Sequence, residues 1–220
     1  MKTDIYDKDY FENGIVTAKS CYENYRWMPE LTIAMAYNLI RHLDLHETDR
    51  VLDFGCAKGY LVRALRILHV QAFGCDVAKY AIANVDPDVR EFCKLLSPKK
   101  ERYLPFRGRF DWIMSKDVLE HLSDKAVDQF LREGRSATNK MFHVIPLGNN
   151  RGRYVIPEYE HDITHQPART VAWWRERFQR HGWNEKAFSY QVRGVKENWT
   201  TSYSKGNGFF ILERSELRRQ

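Results

Sequence analysis

The stretch Val51-Leu-Asp-Phe-Gly-Cys-Ala-Lys-Gly-Tyr-Leu-Val62 decides the fold of this chain. It begins as a short apolar run, turns through two glycines and continues with apolar residues at helical spacing. This order predicts a strand, a glycine-rich turn and a helix. A glycine turn at a helix N-terminus lets a ligand approach the backbone and meet free N–H groups. We therefore expect a cofactor site at the carboxyl end of the first strand of an α/β sheet.

The spacing of the glycines indicates which cofactor binds. A dinucleotide-binding turn has the pattern Gly-x-Gly-x-x-Gly, whereas this chain has Gly55-x-Ala57-x-Gly59. Asp53 precedes the turn, and its negative charge suits a cationic ligand group better than a pyrophosphate. A Rossmann oxidoreductase is therefore the least favoured enzyme class.

A second acidic residue ends the next predicted strand. In Val70-Gln-Ala-Phe-Gly-Cys-Asp76, Asp76 follows the glycine turn by about 20 residues, where α/β nucleotide folds place a carboxylate that binds ribose hydroxyls. The glycines, the helix and the acid follow one another at the spacing that a nucleotide-binding βαβ unit requires. A cofactor site is therefore favoured over a plain βαβ crossover with an acidic turn.

The segment Asp53-x-Gly55-x-Ala57-x-Gly59 resembles the first motif of class I S-adenosylmethionine-dependent methyltransferases, with alanine in place of the usual middle glycine. The resemblance implies a seven-stranded, mostly parallel sheet with an antiparallel last strand and helices on both faces. It implies S-adenosylmethionine as cofactor and S-adenosylhomocysteine as product. Glu101, before Leu104-Pro-Phe106, is a weak stand-in for the acid that contacts adenine in the family. The cofactor-binding residues implied are Asp53, Gly55, Cys56, Ala57, Gly59, Asp76, Val77 and Ser115.

Lys116-Asp-Val-Leu-Glu-His-Leu122 resembles the Val-Leu-Glu-His-Leu stretch that follows strand four in small-molecule members of that family. On a helix, Asp117, Glu120 and His121 would share one face. The resemblance makes Asp117 a residue that faces the substrate. Methyl transfer to a hydroxyl gains from a positioned base near the end of strand four, so His121 is a candidate general base. Ubiquinone-type O-methyltransferases bind a divalent metal with a similar element, so Mg²⁺ is an alternative. A capping box between Asp117 and Glu120 is favoured over it, and no metal ligand is assigned.

A second histidine cluster, His161-Asp-Ile-Thr-His165, follows the fifth predicted strand. In the same superfamily, an Asp-x-Thr-His element at this place lies over the mouth of the active site. His165 is therefore a candidate base or gate on the substrate side, with a loop histidine satisfied by its neighbours as the alternative. The two histidines would have metal-ligand spacing on a helix, but Pro167 and the polar flanks favour a loop.

The 220 residues predict a single domain. The apolar periodicity predicts a helix from Pro29 to Leu45, and the resemblance implies that residues 1–45 supply a lid and this helix while residues 46–220 form the α/β core. By resemblance, the aromatic residues Tyr22, Tyr25 and Trp27 cover the site; packing on the core is the equal alternative. The predicted strands are 50–54, 72–76, 89–95, 110–115, 141–146, 188–195 and 208–214. A helix is predicted to begin at Pro167 and to be ended by His181-Gly182.

The formal net charge of +6 raises the question of nucleic acid as a partner. The basic residues are scattered, so a solvated surface is favoured. Four cysteines without a Cys-x-x-Cys pair predict reduced thiols in a cytoplasmic protein. No apolar run approaches the length of a membrane span, and the N-terminus lacks an apolar secretory core.

These observations predict transfer of a methyl group to a small-molecule or sugar-like acceptor, at oxygen or nitrogen. The alternatives are a nucleic-acid or protein methyltransferase and a non-catalytic S-adenosylmethionine-binding module. An amino-methylating nucleic-acid enzyme would show Asn/Asp-Pro-Pro-Tyr/Phe after strand four, where this chain has Ser115-Lys-Asp-Val. The sequence sets neither the acceptor nor the oligomeric state.

Overall fold

The structure is a computed structural model, and it describes residues 3–97, 104–197 and 200–215. Its strands are β1 Arg50–Phe54, β2 Gln71–Asp76, β3 Cys93–Leu95, β4 Trp112–Lys116, β5 Lys140–Pro146, β6 Trp183–Ser189 and β7 Asn207–Arg214. Its helices are α1 Lys8–Glu12, α2 Pro29–Leu43, α3 Tyr60–Ile67, α4 Lys79–Ala83, α5 Asp124–Ala137 and α6 Val171–Arg180.

The seven strands form one sheet in the order β3-β2-β1-β4-β5-β7-β6. Strand β7 runs antiparallel to both of its neighbours, and the other pairs are parallel. The predicted fold class is confirmed. After β1 the chain adds β2 and β3 along one edge of β1, and it then returns to place β4 along the other edge. Open α/β sheets bind ligands at such a switch point, beyond the carboxyl ends of the strands.

The central strands β1, β4 and β5 are buried on both faces, as expected for parallel strands between helices. Successive side chains alternate between two apolar clusters. Leu52 and Ile113 belong to one cluster, and Val51 and Met114 belong to the other. No helix in the described ranges is both long enough and apolar enough to cross a membrane.

Two predicted strands are placed differently by the structure. The third strand was predicted from Val89, but Asp86 caps a 3-10 turn over Pro87–Phe92, and only Cys93–Leu95 pairs with β2. The sixth strand was predicted over 188–195 and lies at Trp183–Ser189. It is an edge strand with mostly exposed side chains, so its sequence lacks the apolar pattern that marks a strand.

Residues 3–28 form an arm across the carboxyl ends of β1 and β2. Tyr10 and Phe11 of α1 pack on Ala78 and Ala81. A nearly buried ammonium anchors the arm: Lys58 Nζ pairs with the carboxylate of Glu12 and donates to the Tyr25 carbonyl at 2.9 Å. The arm is therefore bound to α4 through an apolar contact and to the glycine turn through an ion pair.

We expect Glu12→Gln to loosen this arm. The substitution removes a charged acceptor from the Lys58 ammonium, and hydrogen bonds to charged groups contribute about 1.5–3 kcal/mol. The backbone amides of Asn24 and Tyr25, which donate to the carbonyls of Glu12 and Phe11, should then exchange about tenfold faster or more. Glu23→Gln is the control, since Glu23 lies in the same arm with an exposed side chain. Equal exchange in both variants would contradict the anchoring role of the pair.

Candidate active site

The turn after β1 has three residues in the left-handed region of backbone space. They are Gly55 at φ 87°, Ala57 at φ 47° and Gly59 at φ 75°. A Cβ atom on Gly55 would lie 2.3 Å from Val118 Cγ2, so only glycine fits there. Ala57 takes a conformation that costs an L-residue about 1–2 kcal/mol, which explains why glycine is usual at this position in the resembling motif.

Asp76 closes this turn from the neighbouring strand. Its Oδ2 accepts a hydrogen bond from Ala57 N at 2.8 Å, and its Oδ1 accepts one from Ala78 N at 2.8 Å. Burial raises the pKa of Asp76, while the two N–H groups favour its charged form. The turn and Asp76 line one cavity of about 80 Å³ together with Val77. The two features that the sequence predicted to meet do face a common space.

Four other predicted cofactor residues are not among those that line this cavity: Asp53, Cys56, Gly59 and Ser115. Asp53 is buried, and burial with the nearby Asp76 raises its pKa to about 7. A cationic ligand group beside it would favour the carboxylate. Cys56 is buried against Gly74. Ser115 is buried, and its hydroxyl is 2.8 Å from His143 Nδ1. Glu101 lies outside the described residues.

Aromatic rings of the arm cover the cavity. Tyr6, Tyr10, Phe11 and Tyr22 line it opposite the glycine turn. Pockets for drug-sized ligands measure about 300–1,000 Å³, so a nucleoside fits only after these rings move outward. Of the predicted covering residues, Tyr22 faces the cavity, whereas Tyr25 packs on Tyr60 at 5.3 Å between ring centroids. Trp27 packs on Tyr60 and on the Arg63 guanidinium.

A second, larger cavity of about 550 Å³ adjoins the first. The two share Tyr22, Asp117 and His121 as lining residues. The second cavity is also lined by the charged or titratable residues Lys116, Glu120, Asp162, His165 and Lys196. A ligand in one cavity would therefore meet a ligand in the other near Asp117 and His121.

The predicted helix face at Asp117, Glu120 and His121 is wrong. Asp117 is left-handed at φ 57°, and only Leu119–His121 forms a 3-10 turn. Helix α5 begins later, at Asp124, and Ser123 caps it. The capping box between Asp117 and Glu120 is therefore also wrong.

Asp117 is an ion-pair partner of two lysines. Its carboxylate is 2.7 Å from Lys116 Nζ and also pairs with the largely buried Lys196 ammonium. Burial alone would raise the pKa of Asp117, but the two ammonium groups hold it below its usual value. Asp117 is thus charged and satisfied, so it is poorly suited to accept a proton.

His121 is held by a chain of hydroxyl and carboxylate groups. Its Nδ1 is 2.7 Å from Thr164 Oγ1. The Thr164 hydroxyl donates to Asp162 Oδ1 at 2.6 Å, and the Tyr10 hydroxyl donates to Asp162 Oδ2 at 2.8 Å. Burial and the neighbouring His165 lower the pKa of His121 to about 4, so the ring is neutral at pH 7.

His165 lies against His121, with 4.5 Å between the ring centroids. Its Nδ1 is 2.6 Å from the Tyr159 carbonyl, and burial lowers its pKa. The structure places His165 beside His121 but leaves His161 exposed at the end of a 3-10 turn. The two histidines therefore do not act as a pair.

Glu120 is almost fully buried, with 2% of its surface exposed. Its backbone is fixed by the Gln166 amide, which donates to the Glu120 carbonyl at 2.9 Å. The guanidinium of Arg169 binds the next carbonyls of the turn, those of Leu119 and Leu122. Burial, and then the charge of Asp117, raise the pKa of Glu120. The turn that carries Glu120 is therefore hydrogen-bonded to the segment that carries His165.

Sequence reasoning missed three residues of the site. Tyr10 binds Asp162 across 152 positions of sequence, and Lys196 pairs with Asp117 across 79. Lys58 anchors the arm beside the turn. Such contacts follow from the folded topology and leave no local pattern. Lys58 alone had a signal, because it lies inside the glycine turn.

The comparisons with known proteins agree with this architecture. The family model described as a methyltransferase domain matches residues 28–192. No curated protein sequence matches the chain. Among solved structures, an S-adenosylmethionine-dependent methyltransferase from Clostridium acetobutylicum is 10% identical, with a TM-score of 0.60 over 93% of this chain and 96% of that one.

Two other solved structures are similarly related. One is a chain of the complex between the Haloferax volcanii Trm112 methyltransferase activator and a methyltransferase, 17% identical, with a TM-score of 0.62 over 88% of this chain and 93% of that one. The other is geranyl diphosphate C-methyltransferase from Streptomyces coelicolor, 13% identical, with a TM-score of 0.63 over 84% and 81%. These identities show the shared fold alone. Because the family model covers most of the chain, the protein belongs to the methyltransferase-domain family.

Proposed function

We propose that this chain transfers a methyl group from S-adenosylmethionine to a small-molecule or sugar-like acceptor, at oxygen or nitrogen. The observation that carries the proposal is the meeting of two cavities at His121 and Asp117. One cavity has the glycine turn and the buried acid of a nucleoside site, and the other has room for an acceptor.

The residues of the first cavity fit the cofactor. Asp76 presents a carboxylate to the ribose hydroxyls, and Val77 offers an apolar surface to the adenine. Glycine at position 55 keeps the backbone open to the ligand, because a Cβ there would fill the space. Asp53 is buried outside the lining of the cavity, and its carboxylate, whose charged form a cation favours, suits the ammonium group of the methionine part. The arm over the cavity acts as a lid that admits the cofactor and then excludes water.

His121 is the proposed general base. The hydroxyl of Thr164 donates its only proton to Asp162, so Thr164 accepts from the protonated Nδ1 of His121. The Nε2 atom then carries the free lone pair and can accept a proton from the acceptor hydroxyl or amine. The bound cofactor supplies an activated methyl sulfonium. The chain orients the acceptor beside it, and His165 borders the same space.

The test of this function is titration calorimetry of the purified chain. S-adenosylhomocysteine should bind with one-to-one stoichiometry, and NAD should give no heat above dilution, because the turn has the wrong glycine spacing for a pyrophosphate. Binding of NAD without S-adenosylhomocysteine would overturn the proposal.

The alternatives separate in a turnover assay. Release of S-adenosylhomocysteine from S-adenosylmethionine is followed with a panel of phenols, catechols, sugars and amines, and in parallel with RNA and protein acceptors. Turnover only with the macromolecules would favour a nucleic-acid or protein methyltransferase. Cofactor binding without turnover on any acceptor would favour a non-catalytic binding module.

A further inference from the structure

Three ligand-type side chains converge where the two cavities meet. Glu120, His121 and His165 each offer one ligand atom, and these atoms all lie within 4.8 Å of one another. His121 Nε2 is 3.9 Å from Glu120 Oε1. The 3-10 turn after β4 supplies two of the residues, and the loop before α6 supplies the third. This set differs from the one that a helix at Asp117 would have made.

The hydrogen bonds around both imidazoles leave their Nε2 atoms free. A backbone carbonyl only accepts, so the contact of His165 Nδ1 with the Tyr159 carbonyl places a proton on Nδ1. The donation from Thr164 to Asp162 places a proton on Nδ1 of His121 in the same way. Metal-binding histidines typically donate one ring N–H to a carbonyl or another acceptor and coordinate through the other nitrogen.

Glu120 provides the independent indication that a ligand belongs here. Neither carboxylate oxygen has a hydrogen-bond partner among the described residues, although the side chain is almost fully buried. The nearby Lys196 ammonium is bound to Asp117. A buried, unpaired carboxylate costs several kcal/mol. A proton on one oxygen would add a donor with no acceptor within hydrogen-bond distance among the described residues, since His121 Nε2 is 3.9 Å from Glu120 Oε1. A cation between Glu120 and the two imidazoles would instead satisfy the carboxylate.

We propose that Glu120, His121 and His165 bind a divalent first-row transition-metal ion of the Zn²⁺ class. Two imidazole nitrogens and one carboxylate are ligands that such ions accept in catalytic sites, whereas Mg²⁺ prefers oxygen ligands. Three protein ligands leave an open position. Because the cluster borders the larger cavity, an oxygen atom of the acceptor is the group to fill that position. This role of the metal rests on the proposed function, but the binding site itself does not. Nε2 of His121 cannot bind this ion and accept a proton at the same time, so in the metal-bound chain the ion takes the place of His121 in activating the acceptor oxygen.

The test uses the tag-free, chelator-treated full chain. Calorimetry with Zn²⁺ should show one binding site. Co²⁺ should give visible d–d absorption bands of the kind that a cobalt ion with few ligands shows. His165→Gln and Glu120→Gln should each weaken Zn²⁺ binding on the order of 100-fold and abolish the Co²⁺ spectrum. His161→Gln is the matched control, since His161 lies four positions away with an exposed side chain, and it should bind both ions like the unaltered chain.

Glu120→Gln also separates metal binding from a structural role. It removes an uncompensated buried charge, so the metal-free variant should melt no lower than the unaltered chain, while added Zn²⁺ should no longer raise its melting temperature. The proposal would be overturned if the unaltered chain had no Zn²⁺ site, or if His161→Gln weakened Zn²⁺ binding as much as His165→Gln and Glu120→Gln do. S-adenosylhomocysteine affinity of the metal-free chain is measured in parallel, because its loss would instead count against the proposed function.

Discussion

Asp76→Ala is expected to weaken S-adenosylhomocysteine binding by 10²-fold or more. The Asp76 carboxylate lies at the carboxyl end of β2 and faces the cavity beside the glycine turn. Loss of two hydrogen bonds from ribose hydroxyls to a charged acceptor costs about 3–6 kcal/mol, at about 1.5–3 kcal/mol each. Titration calorimetry measures the change directly.

Two further variants isolate the role of Asp76. Asp88→Ala removes a carboxylate that is 65% exposed and pairs with Arg63, so it should leave the affinity unchanged. Asp76→Asn keeps one acceptor oxygen and should give an intermediate loss. Full affinity in Asp76→Ala would mean that the ribose is bound elsewhere and that the cavity has been assigned to the wrong ligand.

Gly55→Ala is expected to reduce both cofactor affinity and stability. A Cβ atom there would lie 2.3 Å from Val118 Cγ2, and Val118 belongs to the segment that carries Asp117 and His121. The φ of 87° adds a backbone cost of about 1–2 kcal/mol for alanine. We expect S-adenosylhomocysteine binding to fall at least tenfold, as measured by calorimetry, with a lower melting temperature by calorimetric scanning.

Gly152→Ala is the matched control for this variant. Gly152 has a similar φ of 72°, but no atom lies within 4 Å of its added Cβ. Its melting temperature should fall by about 2–8 °C, because only the backbone cost of a left-handed alanine applies in a chain of this size. Its cofactor affinity should not change. Gly55→Ala/Val118→Ala removes the steric contact and should regain much of the binding. If Gly55→Ala kept its cofactor affinity and lost no more stability than Gly152→Ala, the close approach of Gly55 to Val118 would not matter for cofactor binding.

The sequence predicted best what short-range patterns encode. The strand, turn and helix at Val51–Val62 and the acid at Asp76 lie where they were predicted, because glycine spacing and apolar periodicity act within a few residues. The seven-stranded, mostly parallel sheet with an antiparallel last strand is confirmed as well, and it was implied by the family that this segment resembles.

The errors arose where tertiary contacts override local preference. The segment after β4 reads as a capped helix, yet Asp117 takes a left-handed conformation in which Lys116 and Lys196 bind its carboxylate. Strand β6 forms because β7 offers it backbone partners, although most of its own side chains are exposed. The proton positions on His121 and His165 depend on Thr164, Asp162 and Tyr159, and only the folded chain brings these groups together.

The hydroxyl of Tyr10 joins the arm to the imidazole network through Asp162. If the arm moves away so that the cofactor can bind or leave, Asp162 loses the hydrogen bond from the Tyr10 hydroxyl. Asp162 is the group that orients the Thr164 hydroxyl. On the proposed function, His121 is therefore held in its reactive orientation only while the arm is closed over the cofactor. On the same proposal, hydrolysis of the sulfonium would therefore be slow while the arm is open. Release of the product would require the same aromatic side chains to move outward as binding of the cofactor does.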